Sequence, residues 1–429
     1  MRIPLIRVGM SLSIPDTPGL ILLANLLVGF FGLLSVPLIT NSVGPTGRGI
    51  TASAVVLFGV VPILLAFGMP LAIRRRVIHE RQDPVVRAYR DLTACTLIPA
   101  VFAGILLVGS LFRHQDRLLQ SLVLAGIVAA PLTVSWMGDA SVLVSHGRYR
   151  RVFAMRIAPS LIVLTILFFG WLANLLTVEM ILLAQIIGTM TTFALGLALV
   201  RVSWLGPRAS RRSIAREGTK YAGAAIAEAA SYRLDQALLL PLIGAYQTGL
   251  YSVAVSIASV PDAVGQALGA PNYRRMGAEK DEFKRRSLAA DAAASAASMA
   301  CVVATLVGIL AIPTLAAVFG ETFASARIAL AIVLVASVIL VVGRVLALGL
   351  AAEGRGQIIT LAQVAGLLTG LVLLYPLARQ WGASGAAVAA SIGYAVTTVI
   401  VLRAARVPLR RLAPHREGLR RAFLTLRAR

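Results

Sequence analysis

Between residues 221 and 244, in a stretch dominated by alanine and leucine, Glu228, Ser231, Tyr232 and Asp235 fall at i, i+3, i+4 and i+7. That spacing lines one face of a helix. A charged group in hydrocarbon costs about 2.5–3.5 kcal/mol on insertion scales, so the ones that persist mark a cavity, a pathway or a pair. The face must therefore be wetted or paired. Arg233 points elsewhere on the same helix, toward a neighbouring helix or another cavity wall. Two readings stay open: a salt bridge that fixes helix packing, or the polar lining of a chamber.

Other apolar stretches carry sparser polar groups. Ser252, Ser256, Ser259, Asp262 and Gln266 recur at near-helical spacing, as a polar stripe or as small residues that permit close helix approach. Asp139 and Arg344 stand within about two turns of expected helix ends, where Arg344 can snorkel. Asn25 and Gln363 are weaker candidates. The string Gly44-Pro45-Thr46-Gly47-Arg48-Gly49 lacks the Lys-Ser or Lys-Thr ending of a phosphate-binding loop. It reads as a tight turn, with Arg48 open to a gating role. Cys95 and Cys301 lie inside apolar runs, so no disulfide is expected. His79, His114, His146 and His415 have no ligand-like spacing, and neither a metal site nor a cofactor is expected.

The elements that must position these groups follow from composition. With 58% hydrophobic residues, 14% charged residues and a mean hydropathy of +0.84, the 429 residues have too little polar surface to cover a water-soluble globule. A net charge of +23 raises nucleic acid as a partner, but no basic patch is interleaved with aromatics, and that partner is set aside. Runs long enough to cross a bilayer fall at about 19–39, 50–73, 92–112, 118–144, 152–172 and 179–200, then at 221–244, 249–270, 288–312, 326–349, 358–378 and 383–402. An all-α membrane protein of about twelve helices is predicted. The first run is too long for a removable signal and reads as a first membrane helix entered through Asp16-Thr17-Pro18. Of the 41 lysines and arginines, 34 fall in the two termini and in alternate loops, whereas the opposite loops hold only Arg48, Arg113, Arg117 and Arg379. Both termini are therefore expected in the cytoplasm.

The sequence also echoes itself. Val43-Gly44-Pro45-Thr46-Gly47-Arg48-Gly49-Ile50 and Ile243-Gly244-Ala245-Tyr246-Gln247-Thr248-Gly249-Leu250 share an apolar-Gly-x4-Gly-apolar pattern, each followed by Ala-Val four residues on. Gly147-Arg148 is matched by Gly354-Arg355 at nearly the same offset. These echoes predict a six-plus-six duplication with both halves in one orientation. The expected units are 1–210, 211–405 and a basic tail 406–429. In the tail, Leu419, Phe423 and Leu426 are spaced for an interfacial helix on anionic membrane lipids.

The stretch Tyr232-Arg233-Leu234-Asp235-Gln236-Ala237-Leu238-Leu239-Leu240, with Ile243-Gly244 and Thr248-Gly249-Leu250-Tyr251-Ser252-Val253-Ala254, resembles the start of the second half of polysaccharide-biosynthesis flippases. These belong to the multidrug, oligosaccharidyl-lipid and polysaccharide exporter superfamily. Val43 to Gly49 and Trp381-Gly382-Ala383-Ser384-Gly385-Ala386 resemble the corresponding first loop and a late helix entry. The resemblance implies two six-helix bundles around a central cavity that opens to each side in turn. It also implies a lipid-linked saccharide substrate, carried across the bacterial plasma membrane for envelope polysaccharide synthesis. Arg233, Tyr232, Arg344, Asn25 and Arg48 are then the substrate or cavity candidates. Glu228, Asp235, Asp262 and Asp139 are the candidates for coupling to a proton or sodium ion.

Three alternatives remain. A cation-coupled multidrug exporter of the same superfamily commonly carries a carboxylate in its first helix, and Leu20 to Ile39 has none. A membrane glycosyltransferase or polymerase needs a long outward loop with acid/base carboxylates, whereas the outward loops are short, with Asp116, Glu179 and Glu321 scattered among them. No enzyme is expected. The third is a transport-dead scaffold that recruits cell-wall proteins.

Overall fold

A computed structural model describes residues 16–17, 19–279, 281–412 and 418–420, with the backbone alone at 22, 224–225, 227–234, 264–275, 277–278, 352 and 409. The expected interfacial helix through Phe423 and Leu426 lies outside the described residues. Among those described there is no strand. The helices run α1 (Gly19–Ala66), α2 (Met69–His79), α3 (Gln82–Cys95), α4 (Leu97–Leu111), α5 (Arg117–Val128), α6 (Ala130–Ser145), α7 (Tyr149–Leu172) and α8 (Val178–Leu199). Then follow α9 (Arg211–Ala278), α10 (Glu282–Phe319), α11 (Arg327–Ala352) and α12 (Gly356–Ala405), with short 3₁₀ turns at Glu321–Ala326 and Leu409–Leu412.

Among the described residues, nine apolar helical stretches are long enough to cross a membrane. Three of them, in α1, α9 and α12, contain one glycine with non-helical backbone: Gly44, Gly244 and Gly382. A straight α1 would reach about 70 Å, more than twice the ~30 Å hydrocarbon core. Instead the chain turns back. Asp16 accepts a hydrogen bond from the Arg150 backbone at 2.8 Å, and Ser145 donates to the Arg74 carbonyl at 2.9 Å. Residues on either side of α1 thus meet the junction of α6 and α7 at one end of the molecule. The three reversals divide nine stretches into twelve passes.

The duplication is visible in backbone geometry. Gly44 adopts φ 64°, ψ −173° and Gly244 φ 79°, ψ 168°, a positive-φ conformation with extended ψ that is open to glycine and costly to other residues. The second echo forms two equivalent helix ends: Arg148 N–H donates to Leu143 O and Arg355 N–H to Leu350 O, both at 2.9 Å, over Gly147 at φ 67° and Gly354 at φ 75°. Each is a Schellman-type turn. Passes 1 and 7 lie at the seam between the halves. Val36 is buried in an apolar cluster of the second half and Ile39 in one of the first, while Leu239 is buried in the second-half cluster and Ala237 and Leu240 in a first-half one.

Helices in lipid gain little from burying apolar surface against one another, so close approach rests on small residues. Ala289 to Ala300 of α10 supply a run of buried alanines. In α12, a Cβ at Gly366 would sit 2.5 Å from the Gly393 carbonyl. The end marked by Arg74, Arg150 and Arg285 is the basic end. At the opposite end Asn41 donates to Val318 O at 2.9 Å and Gln247 accepts from Ala383 N at 3.0 Å. Exposed Trp171, Tyr246, Tyr375 and Trp381 ring this opposite end, as residues do at a membrane–water boundary.

Candidate functional site

Glu228, Ser231, Tyr232 and Arg233 lie on the helical backbone of α9, and their side chains are outside the described residues. The polar chain becomes describable at Asp235. One oxygen of its carboxylate accepts the Gln236 backbone N–H at 2.8 Å, and the other accepts the hydroxyl of Tyr251 from the eighth pass. Tyr251 is 1% exposed, so the pair links passes 7 and 8 in the interior. Asp235 also borders a narrow cleft against Gly366, Gly370, Gly393, Tyr394 and Thr397 of α12. The glycines make the room.

Tyr394 and Thr397 form the wall between this cleft and a second cavity of about 160 Å³ that Arg344, Gln363 and Thr398 also line. Arg344, expected as a snorkelling or cavity residue, forms an ion pair with Asp262 that joins α11 to the eighth pass. Both side chains are mostly buried, at 23% and 17% exposure. The second half therefore holds carboxylate, phenol, amide and guanidinium groups about two adjoining cavities. Such a set can exchange a bound cation or proton against an arginine and accept a polar headgroup.

In the first half the arginines are placed differently from what sequence predicts. Arg48 is not in a loop: Pro45 opens the next helix, Arg48 sits in its first turn, and it donates to Ser256 Oγ of the second half at 3.0 Å. Its buried Nε has no hydrogen-bond partner among the described residues. Arg156, counted with a basic loop, lies two turns into α7 and donates to Asn25 Oδ1 at 2.6 Å. Only its distance from the Arg148–Arg151 cluster could have signalled this. Asp139 faces Arg90 at 3.7 Å, both side chains 4% exposed or less. Arg90 in turn donates to Val200 O and Val202 O at 3.0 Å and lies over the Trp204 ring.

The halves touch at both ends. Opposite the basic end, the site of a Cβ on Gly49 is 1.9 Å from Ala245 O, and that on Gly249 is 1.9 Å from Pro45 O. The repeated motif thus packs against its own copy. At the basic end, Arg76 Nε meets Glu217 Oε2 at 2.8 Å, joining α2 to the start of α9. Among the described residues, no group of three His, Cys, Asp or Glu side chains is arranged to hold a metal ion.

Comparison with known proteins fits this architecture. The fold is similar to that of the lipid II flippase MurJ in an inward closed conformation, with TM-score 0.78 and 10% identity, covering 94% of this chain and 90% of that one. It is also similar to an inward-facing multidrug resistance MATE family transporter of the MOP superfamily, with TM-score 0.61 and 14% identity, covering 91% and 98%. A MOP superfamily transporter from Pyrococcus furiosus matches with TM-score 0.53 and 15% identity over 92% and 93%. At these identities the likeness is one of fold, twelve helices in two lobes. Comparison with curated protein sequences gives no match. The family model for polysaccharide biosynthesis proteins matches residues 18–265, more than half of the sequence, and the chain belongs to that family.

Proposed function

We propose that this protein is a flippase that moves a lipid-linked saccharide precursor across the plasma membrane by alternating access, with both termini in the cytoplasm. The observation that carries this reading is the pair of adjoining cavities in the second half, largely apolar in lining but edged by Asp235, Arg344 and Tyr394, in a fold similar to that of a lipid II flippase. A sugar headgroup cannot cross hydrocarbon unaided, and a diphosphate attached to it is matched by arginine in a hydrated chamber. Arg233, with Tyr232, Arg344, Asn25 and Arg48, serves the substrate side. Asp235 and Glu228 couple the cycle to a proton or sodium ion, and Asp262 tunes Arg344. Asp139 serves packing through Arg90. The units are 1–210 and 211–405, with the tail from 406 on anionic lipid.

The test is translocation of a fluorescent or enzymatically accessible lipid-linked oligosaccharide in proteoliposomes. Arg233→Ala is expected to lower the rate roughly tenfold to a hundredfold, the worth of one charge-assisted hydrogen bond, with insertion and melting unchanged. Wild-type rates in that variant would remove Arg233 from the substrate path. Asp235→Asn and Glu228→Gln should each alter the response of transport to pH or sodium gradients. If both retain the parental ion dependence, coupling lies elsewhere.

The fold likeness to a multidrug transporter supports a second reading, extrusion of an amphipathic cation. Uptake of a cationic dye into inverted vesicles, with no flipping of any lipid saccharide, would favour it.

A further inference from the structure

At the basic end, α2 and the first turns of α9 enclose a groove of about 410 Å³. Four cationic side chains, Arg75, Arg76, Arg216 and Lys220, share it with two carboxylates, Glu80 and Glu217. Glu217 is held between two arginines: Oε2 lies 2.8 Å from Arg76 Nε and Oε1 lies 3.6 Å from Arg75. Arg76 also donates to the Ser213 hydroxyl. Arg76 and Glu217 are each 15% exposed, whereas Arg75 is 63% exposed. The groove thus has a closed inner wall and an open, cationic rim.

A second contact lies beside it. Gly68, at φ 73°, separates α1 from α2, and a Cβ there would fall 2.3 Å from Gly218 O and 2.7 Å from Ala222 N. Glycine lets the two backbones touch, and the Arg76–Glu217 pair holds them there. Glu217 therefore occupies the place that an anion from outside would take. Two planar guanidinium groups around one anion form a donor set suited to phosphate oxygens, which bind arginine in bidentate fashion. Leu71 and Ile78, seven residues apart on α2 and exposed at 45% and 63%, give the helix an apolar outer face beside the groove.

We infer that this groove is an entry site for a lipid-attached diphosphate, and that the diphosphate displaces Glu217 from Arg75 and Arg76 and so frees the start of α9 from α2. Glu217 acts as an internal substitute ligand that keeps the basic end shut until a substrate arrives. The excess positive charge of the rim attracts the headgroup, and the apolar face of α2 favours one that is anchored in the bilayer. The inference rests on the flippase reading for its substrate class, but its readouts need no translocation.

The test uses the full chain in proteoliposomes, with Cys95→Ser and Cys301→Ser and a reporter at Ala222→Cys, a position 3% exposed beneath the latch. Labelling by a membrane-impermeant maleimide reports release of α9. A polyprenyl diphosphate in the vesicle membrane should speed labelling about tenfold, a common size for one ligand's coupling to one conformational equilibrium. Inorganic diphosphate should act only at much higher concentration, and sulfate not at all. Glu217→Gln should label fast without any diphosphate, and Arg75→Ala with Arg76→Gln should lose diphosphate binding measured directly by calorimetry. Labelling that ignores polyprenyl diphosphate, or that responds equally to sulfate, would overturn the inference, as would slow labelling in Glu217→Gln. A diphosphate response without flipping would leave this site standing and sink the flippase reading. Flipping without the response would do the reverse.

Discussion

If the chain works by alternating access as proposed, one added methyl group at Gly249 will slow its cycle by about one to two orders of magnitude. In Gly249→Ala the new Cβ falls 1.9 Å from Pro45 O and 2.7 Å from Pro45 C. Both are backbone atoms, and no side-chain rotation relieves the overlap. Pro45 opens the second pass with its φ locked by the ring, so the halves must separate there. Overpacking of this kind costs about 1–3 kcal/mol, enough to lower the closed population at that end roughly fivefold to 150-fold. Gly49→Ala should match it, since its Cβ meets Ala245 O at the same 1.9 Å. Disulfide trapping between Asn41→Cys and Val318→Cys, which sit at the same end, measures closure independently of transport. Gly109→Ala, with nothing within 4 Å, is the control. Undiminished trapping together with wild-type transport in Gly249→Ala would show that the crossing is not part of the cycle.

The largest effect on stability is expected at Arg90. Its guanidinium meets Asp139, binds two carbonyls after α8 at 3.0 Å and covers the Trp204 ring at 5.0 Å. Arg90→Ala leaves a buried carboxylate and two carbonyls unmatched. Breaking one side of a buried ion pair costs about 3–5 kcal/mol, so thermal unfolding in detergent should fall by several degrees or more. Arg90→Met combined with Asp139→Leu should recover most of that loss, because the penalty comes from the orphaned charge. If the double variant melts no higher than Arg90→Ala, the carbonyl contacts hold the site and the ion pair does not. A change of ion dependence in Asp139→Asn with unchanged melting would instead move Asp139 from packing to coupling.

Much of the fold was legible because membrane insertion writes it into composition. Apolar run length gave the passes, and the Gly44/Gly244 and Gly147/Gly354 echoes gave the duplication, since those turns need backbone that glycine supplies. The site was less legible for reasons that are equally physical. Arg90 and Arg156 read as loop charges, because a helix that continues past the bilayer carries arginine on its inner flanks without interrupting its hydrogen bonds. Arg48 read as part of a turn, because one non-helical residue suffices for the reversal and the next helix begins at Pro45. Which charges pair is set by contacts across 82 residues for Arg344 and Asp262 and 141 for Arg76 and Glu217. Local spacing carries no record of such partners.

The placing of passes 1 and 7 at the seam between the halves bears on how the chain is made. When the first six passes have left the ribosome, the first lobe still has an unfilled socket, because Ala237 and Leu240 belong in it. At about 5–20 residues per second, those side chains arrive a few seconds later. Until then an apolar gap faces lipid or whatever assists insertion. Val36 waits longer, since its neighbours extend to Ala389. A gene cut between the two repeats would therefore have to supply both fragments to the same membrane at the same time.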